Sequence, residues 1–173
     1  MEYTKLALVL LALSPALAAD SAADEYRVKG AFLLNFAKFV EWPAQSFQGP
    51  KEPISICILG ANPFTSALET AAREVVVENR TVTVRQIPDP LQARQCQIVF
   101  LSASERKRVH AVLDAVQGGS VLTVGESSGF LAGGGVIELK VEESKVKMEI
   151  SMASAKRAGL HISAKLLSLA QIR

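Results

Sequence analysis

The chain contains two cysteines, Cys57 and Cys96, whose thiols can join in a disulfide bond. An even count favours a disulfide in a protein exported to an oxidising compartment, and the N-terminal segment described below predicts such export. We therefore predict a Cys57–Cys96 disulfide. On the chain-entropy model it closes a loop of about 40 residues and stabilises the fold by about 4 kcal/mol. The alternative is two buried free thiols, because each cysteine lies in or beside an apolar segment.

A second candidate chemistry is nucleophilic catalysis by Ser127. The segment 125–129 matches the G-x-S-x-G nucleophile elbow, and Glu138 and His161 follow in the order that a serine hydrolase of this type requires. The elbow needs a helix directly after the serine, whereas three consecutive glycines soon follow, and glycines disfavour a helix. We therefore interpret residues 125–135 as a glycine-rich loop and do not predict an enzyme.

The same glycine-rich loop, with His161 on its wall, is an alternative site for a small ligand. The loop runs into a predicted strand rather than a helix, so no helix N-terminus would meet an anion there. His161 and His110 are more simply interpreted as packed or surface histidines. Two cysteines and two scattered histidines supply no metal-ligand spacing, and neither a metal nor a cofactor is expected.

Aromatic side chains cluster near residues 32–42. Core packing explains most of them. Phe32 and Phe39, however, lie off the main apolar stripe of the predicted helix, so this helix is apolar nearly all round and is expected to lie in a dimer or partner interface. The candidate partner-binding or ligand-binding residues are Phe32, Phe39, Trp42, Phe130, His161 and Lys165.

The N-terminal segment predicts export. Residues 1–19 combine Lys5, an apolar run and the small-residue signature at 16–18, which is the three-part pattern of a signal peptide cleaved after Ala18. The apolar run is interrupted by Pro15 and is shorter than the roughly 20 residues of a membrane anchor. We expect a signal peptide at 1–18, one domain at 19–173, and no membrane insertion. A net charge of +2 gives no indication of a nucleic-acid partner.

Helical and strand patterns alternate along the predicted domain. This alternation predicts an α/β fold with a mainly parallel sheet flanked by helices, and a C-terminal antiparallel hairpin at the edge of the sheet. The predicted helices are 22–40, 63–72, 102–118, 151–159 and 163–170, and the predicted strands are 54–59, 81–87, 98–101, 121–124, 136–141 and 146–150.

Five segments of the chain resemble, in the same order, the YfiR family of bacterial periplasmic proteins. Such collinear agreement is more specific than any single motif above. The segments are Tyr26–Pro43 (YRVKGAFLLNFAKFVEWP), Cys57–Phe64 (CILGANPF), Cys96–Ser102 (CQIVFLS), Val121–Gly125 (VLTVG) with Gly129-Phe130, and Ala158–Leu167 (AGLHISAKLL).

This resemblance implies a non-enzymatic repressor. Family members bind the periplasmic sensor portion of an inner-membrane diguanylate cyclase of the YfiN type and hold it inactive, which lowers cyclic di-GMP and biofilm formation. The resemblance also implies a homodimer, release by an OmpA-like outer-membrane lipoprotein, and a disulfide at Cys57 and Cys96. The second cysteine pair of some members is missing here. Another membrane sensor, such as a histidine kinase, is an alternative partner.

Overall fold

The computed structural model describes the backbone of residues 15–173 and the side chains of residues 21–173. The predicted signal peptide therefore lies outside the described side chains. Helices and strands alternate along the described part of the chain. Their bounds are α1 Pro15–Phe39, β1 Val40–Glu41, β2 Ile54–Leu59, α2 Thr65–Arg73, β3 Val76–Val77, β4 Arg80–Ile87, β5 Ile98–Leu101, α3 Val109–Val116, β6 Leu122–Gly125, β7 Ile137–Glu142, β8 Lys145–Ile150, α4 Met152–Arg157, β9 His161–Ile162, α5 Ala164–Leu167 and β10 Gln171–Ile172.

Eight strands form the main sheet, in the order β10-β8-β7-β6-β5-β2-β4-β3. Strands β4, β2, β5, β6 and β7 run parallel to one another, whereas β8 pairs with β7, and β3 with β4, in the antiparallel sense. The predicted α/β fold with a mainly parallel sheet and a C-terminal antiparallel hairpin is thereby confirmed. One further strand, β10, pairs in parallel outside β8. Strand β10 is only two residues long. A hydrophobic period cannot be detected over two residues, so the sequence did not indicate this strand.

The hairpin turn is tighter than its sequence suggested. Residues 142–145 were expected to form the loop, but β7 extends to Glu142 and β8 begins at Lys145. Glu143 and Ser144 alone make the turn, with φ values of 50° and 59°. Two consecutive left-handed residues are typical of the type I′ turn, whose twist matches that of the strands it joins.

The strands at the centre of the sheet are buried on both faces, as their continuous apolar sequences predict. All four residues of β5 are buried, as are the last four of β2. Side chains alternate between the faces. Ile56, Ile58 and Phe100 pack with α1 and α2 in one core cluster, whereas Cys57 and Val99 pack with α3 in the other.

Several helix bounds differ from their predictions for local reasons. Helix α1 begins before residue 22 and ends at Phe39, because Val40 already pairs with Ile162 of β9. Helix α2 begins at Thr65, two residues after Pro63. Residues 103–108, expected to be α-helical, form a 3-10 helix ahead of α3. Among residues 15–173, no helix is both long enough and apolar enough to cross a membrane.

Candidate functional site

The order of the strands defines the point at which an α/β sheet usually binds ligands. The chain leaves β2 to form β4 on one side and then β5 on the other. Ligands of open α/β sheets bind in the crevice between the carboxyl ends of two such strands. In this chain that crevice lies between Gly60, which follows β2, and Ser102, which follows β5.

Side chains of the 3-10 helix after β5 close this crevice. The Oγ of Ser104 accepts a hydrogen bond from the backbone N–H of Ala61 at 3.1 Å and lies 2.7 Å from the Oγ of Ser102. A Cβ atom at Gly60, where φ is +90°, would lie 2.4 Å from the Cγ of Glu105. The space that a phosphate would need above Gly60 is therefore already filled.

A buried group of charges lies beside the closed crevice. The Nζ of Lys29, on α1, is 2.5 Å from the Oε2 of Glu126, which directly follows β6, and it also pairs with Glu25. The Oε1 of Glu126 accepts hydrogen bonds from the Ala103 N–H at 2.7 Å and from the Tyr26 hydroxyl at 3.3 Å. Glu126 thus connects α1 to the segment that closes the crevice.

The environment of this charge group shifts two pKa values. Burial lowers the pKa of the Lys29 ammonium, but its hydrogen bonds to Glu126 and Glu25 together outweigh burial and raise the pKa above its ordinary 10.5. Burial, followed by the negative charge of Glu126, raises the pKa of Tyr26 above 10.0. The hydrogen bonds to Glu126 and Glu25 thus favour the charged form of Lys29, and the ion pair with Glu126 joins α1 to the end of β6.

The glycine-rich loop is folded around the ring of Phe130, which is 2% exposed. Cβ atoms at Gly125 and Gly135 would lie 2.5 Å and 2.2 Å from atoms of that ring. The carboxylate of Glu138 accepts a hydrogen bond from the Leu131 N–H at 3.3 Å. The loop is therefore a packed part of the core, and Phe130 has no surface to offer a partner or a ligand.

The residues of the hydrolase motif are far apart. Ser127 follows Glu126, which contacts α1 at Lys29, and no helix begins directly after Ser127. His161 lies beyond the C-terminal end of α1, because it pairs with Glu41, two residues after Phe39. The helical stretch from Lys29 to Phe39 alone is about 15 Å long. Ser127 and His161 thus do not form a catalytic pair.

Four of the predicted partner residues lie in or next to the segments that pair at the C-terminal end of α1. Strands β1 and β9 pair there, and the Ser163 N–H donates to the Phe39 carbonyl at 3.0 Å. The Lys165 Nζ lies 4.8 Å from the centre of the Phe39 ring, a cation–π contact. The Trp42 Nε1–H donates to the Gln97 carbonyl at 3.1 Å. We call this the β1–β9 surface, defined by Phe39, Trp42, His161 and Lys165.

Phe32 extends the β1–β9 surface along the helix. It lies seven residues, or about two turns, before Phe39 and therefore on the same face of α1. Its ring stacks on that of Phe36, with centroids 6.2 Å apart. Phe32, Phe39 and Trp42 are half-buried, and His161 and Lys165 are exposed. The surface therefore combines aromatic rings with a cation.

The predicted disulfide is confirmed. Cys57 and Cys96 are joined with an S–S distance of 1.97 Å, and their Cα atoms are 6.1 Å apart. The Nη2 of Arg85 lies 3.6 Å from the Sγ of Cys96. In the described part of the chain no group of three or more His, Cys, Asp or Glu side chains is arranged to hold a metal ion.

A second cluster of charges, near the C-terminus, was not indicated by the sequence. Glu149 on β8 lies 2.6 Å from the Lys140 Nζ and 3.0 Å from the Arg173 Nε. Hydrogen bonds from Arg173 and then Lys140 outweigh burial and hold the pKa of Glu149 below 4.5. The register of β7 with β8 and the parallel pairing of β10 bring these residues together, and no short-range pattern predicts either.

Comparison with known proteins places the chain in a family. A sequence model of the family described as "DUF4154: YfiR/HmsC-like" matches residues 26–171. This match begins at the segment that carries the first resemblance and spans all of the elements from the middle of α1 to β10.

Two solved structures share the fold at low sequence identity. One is a conserved domain protein from Vibrio cholerae O1 biovar El Tor, with 9% identity and a TM-score of 0.51 over 69% of this chain and 54% of that one. The other is the ABC domain in complex with L-Trp from Streptococcus pneumoniae, with 11% identity and a TM-score of 0.51 over 69% and 55%. The matched region thus spans about half the length of these proteins, and the likeness is one of fold alone.

Proposed function

Because the chain belongs to the YfiR/HmsC-like family, we propose that it is a periplasmic regulatory protein that binds the sensor portion of an inner-membrane diguanylate cyclase and represses it. The observation that carries this proposal is the family match over residues 26–171. Repression lowers cyclic di-GMP and restrains biofilm formation. The protein acts by binding and catalyses no reaction itself.

The disulfide supports the periplasmic location. Disulfides persist in oxidising compartments such as the bacterial periplasm and are rare in the cytosol. Cys57–Cys96 is therefore the expected state of an exported chain. Cyclic di-GMP is made in the cytoplasm, so a periplasmic regulator controls its synthesis only through a partner that crosses the membrane. Binding and cyclase activity are then coupled through two states of that partner.

The β1–β9 surface is the docking surface in this proposal. A few side chains contribute most of the binding energy at protein interfaces, and tryptophan is enriched among them. The surface offers Trp42 together with the Phe39 ring and the Lys165 cation that lies over it. A sensor domain that offers apolar and acidic side chains complements this surface, because its carboxylates pair with Lys165 and its apolar groups cover the Phe39 ring.

The proposal is tested by deleting the gene and restoring it with variants. We expect deletion to raise cyclic di-GMP, and wild type and Lys107→Glu to restore the low level. Lys165→Glu should fail to restore it at equal protein abundance. Lys107 is a matched control because it is an exposed lysine on the 3-10 helix before α3, on the other face of the sheet. Unchanged cyclic di-GMP after deletion would contradict a cyclase partner.

The proposal also includes an OmpA-like outer-membrane lipoprotein that competes for the protein and relieves repression, and a homodimer as the binding unit. Mixing the purified protein with the sensor domain and then titrating in the lipoprotein should release the sensor domain.

Light scattering of the exported protein should give twice the mass of the processed chain. A monomeric mass at all concentrations would remove the dimer from the proposal.

A further inference from the structure

A groove lies between α1 and α2, beside the closed crevice. Its volume is about 470 Å³, within the range of about 300–1,000 Å³ that small-ligand sites occupy. Gly30, Phe64 and Leu68, which are buried, form its floor. Exposed alanines form its sides, at Ala31, Ala67 and Ala71. Because Phe64 follows β2 by five residues, the groove lies near the carboxyl end of that strand, where α/β sheets usually bind ligands.

The two helices run in the same direction along the groove. The Tyr26 ring contacts the Phe64 ring, with centroids 5.7 Å apart. One turn further along both helices, a Cβ atom at Gly30 would lie 3.6 Å from the Cδ1 of Leu68. The start of α2 therefore lies beside the first half of α1, and the end of α2 lies further along it.

The two ends of the groove differ in polarity. Arg27 and Thr65 line the end where α2 begins, whereas Leu34 and Ala71 line the other end, about 10 Å further along α1. Among the described residues that line the groove, Arg27 alone has a charged side chain. The groove therefore complements a molecule with an apolar tail and one anionic end.

Arg27 can bind an anion at the polar end. Its Nη2 donates to Asp24 at 3.0 Å, but the two side chains are 78% and 72% exposed, and exposed ion pairs contribute little. A guanidinium has five N–H donors, so a second carboxylate can bind without displacing Asp24. The first turn of α2 adds partial positive charge at this end, because no side chain of the described residues caps it.

We propose that this groove binds a medium-chain fatty-acid carboxylate. The carboxylate pairs with Arg27, and the acyl chain lies over Gly30 and Phe64 towards Leu34. Burial of the methylene groups provides most of the binding free energy, and the cation selects an anionic head group. This inference is independent of the proposed membrane partner, because the four residues that define the β1–β9 surface are not among the described residues that line the groove.

A series of carboxylates tests the binding of the acyl chain. Hexanoate, octanoate, decanoate and dodecanoate are titrated into the exported protein below their micelle-forming concentrations, and calorimetry measures each affinity. Each methylene group that enters the groove should raise the affinity about fourfold, and the rise should stop once the chain reaches Leu34. No detectable binding of decanoate, or one affinity for all of the chains, would overturn the proposal.

Amphiphiles of opposite charge test the role of Arg27. Decanoate should bind several-fold more tightly than decyltrimethylammonium, whose tail has a similar length. Arg27→Gln should weaken decanoate binding several-fold, whereas Arg73→Gln, at an exposed position at the other end of α2, is the matched control and should bind as wild type does. Asp24→Asn should bind decanoate more tightly, because Arg27 loses its competing partner. Equal affinities for the two amphiphiles, or for the two arginine variants, would contradict the proposed head-group site.

A larger side chain in the groove tests the position of the ligand. Ala67→Phe should weaken decanoate binding about tenfold or more, because the ring keeps two or more methylene groups out of the groove. Thr70→Phe, at an exposed position of α2 that does not line the groove, is the matched control and should bind as wild type does. Undiminished binding by Ala67→Phe would overturn the proposal.

Two further measurements complete the test. Circular dichroism should show that both phenylalanine variants are folded, and the wild-type titrations decide the question if Ala67→Phe is not. Light scattering detects a second copy of the chain in the groove. If decanoate does not bind to wild type and Ala67→Phe halves the measured mass, a second copy covers the groove and the proposal is wrong.

Discussion

The Nζ of Lys29 lies 2.5 Å from the Oε2 of Glu126, and the two side chains are only 3% and 4% exposed. The pair joins two positions that are 97 residues apart in sequence, one on α1 and one at the carboxyl end of β6. Because Glu126 also accepts from the Ala103 N–H, one carboxylate positions both α1 and the segment that closes the crevice over Gly60.

We predict that Lys29→Met destabilises the protein by about 3–5 kcal/mol, since it leaves the buried carboxylate of Glu126 without its cation. Urea unfolding measures the change in the free energy of unfolding. Arg27→Met is the matched control: its ion pair with Asp24 is 78% and 72% exposed, and such pairs contribute about 0–1 kcal/mol. Similar losses in the two variants would contradict a special role for the buried pair.

We further predict that Lys29→Met and Glu126→Gln are not additive. In Glu126→Gln, the glutamine side chain still has a carbonyl oxygen that accepts from the Ala103 N–H. It carries no charge, so the double variant lacks the unpaired carboxylate that Lys29→Met alone leaves buried. The double variant should therefore be more stable than the sum of the single losses implies, by about 1 kcal/mol or more. Urea unfolding of all four proteins measures this coupling. Additive losses would show that the two side chains do not interact in solution.

The stability contributed by Glu149 should depend on pH. Hydrogen bonds from Arg173 and Lys140 hold its pKa below 4.5, so its contribution is present above pH 4.5 and is lost as pH falls through the lower, folded-state pKa. The stability difference between wild type and Glu149→Gln should be constant from pH 7 to about 5 and shrink below about 4.5. Glu69→Gln, on the exposed side of α2, controls for the loss of one carboxylate. A stability difference between wild type and Glu149→Gln that grows as the pH falls below 4.5 would contradict this prediction.

The contact between Phe130 and Gly135 predicts a compensating pair of substitutions. A Cβ at Gly135 would lie 2.2 Å from the Phe130 ring, so Gly135→Ala should be strongly destabilising, and Phe130→Ala should cost about 3–5 kcal/mol through the cavity it leaves. The double variant should lose clearly less than the sum, because the smaller residue at 130 leaves room for the new methyl group. Thermal unfolding provides the measurement. If the double variant instead loses as much stability as the two single variants together, the loop moves away from the ring when the methyl group is added.

Removing the disulfide should cost about 4 kcal/mol on the chain-entropy model, because the bridge joins residues 39 apart. The double variant Cys57→Ser/Cys96→Ser should therefore unfold at lower urea than oxidised wild type. Wild type unfolded in a strong reductant should approach the variant. A variant as stable as oxidised wild type would show that core packing alone maintains this region.

Patterns within short stretches of sequence predicted much of the fold. The strands at 54–59, 98–101 and 146–150 lie where their apolar runs indicated. Elements of two residues, such as β1, β9 and β10, were missed because they exist only through pairing with another segment. The 3-10 helix at 103–108 was read as α-helical, since helical spacing does not distinguish the two.

For the candidate site, too, the sequence indicated individual residues but not their arrangement in space. Aromatic spacing indicated Phe39 and Trp42, and the resemblance segment Ala158–Leu167 contains His161 and Lys165. Only the β1–β9 pairing brings that segment to the end of α1 and Lys165 over the Phe39 ring. Phe130 was predicted as a partner-binding or ligand-binding residue of a glycine-rich loop, whereas its ring is buried at the centre of that loop, because the glycines at 125 and 135 leave room for it.

The sequence by itself determined the alternation of strands and helices, the cysteine pair and the segments shared with a family, because each depends on residue type and short-range spacing. Only the tertiary structure decided that the crevice at Gly60 is closed, that Lys29 and Glu126 are paired, and that α1 packs beside α2 along an apolar groove. These are contacts between residues far apart in the chain. The packing of the sheet against α1 and α3 sets their distances, and no local pattern encodes them.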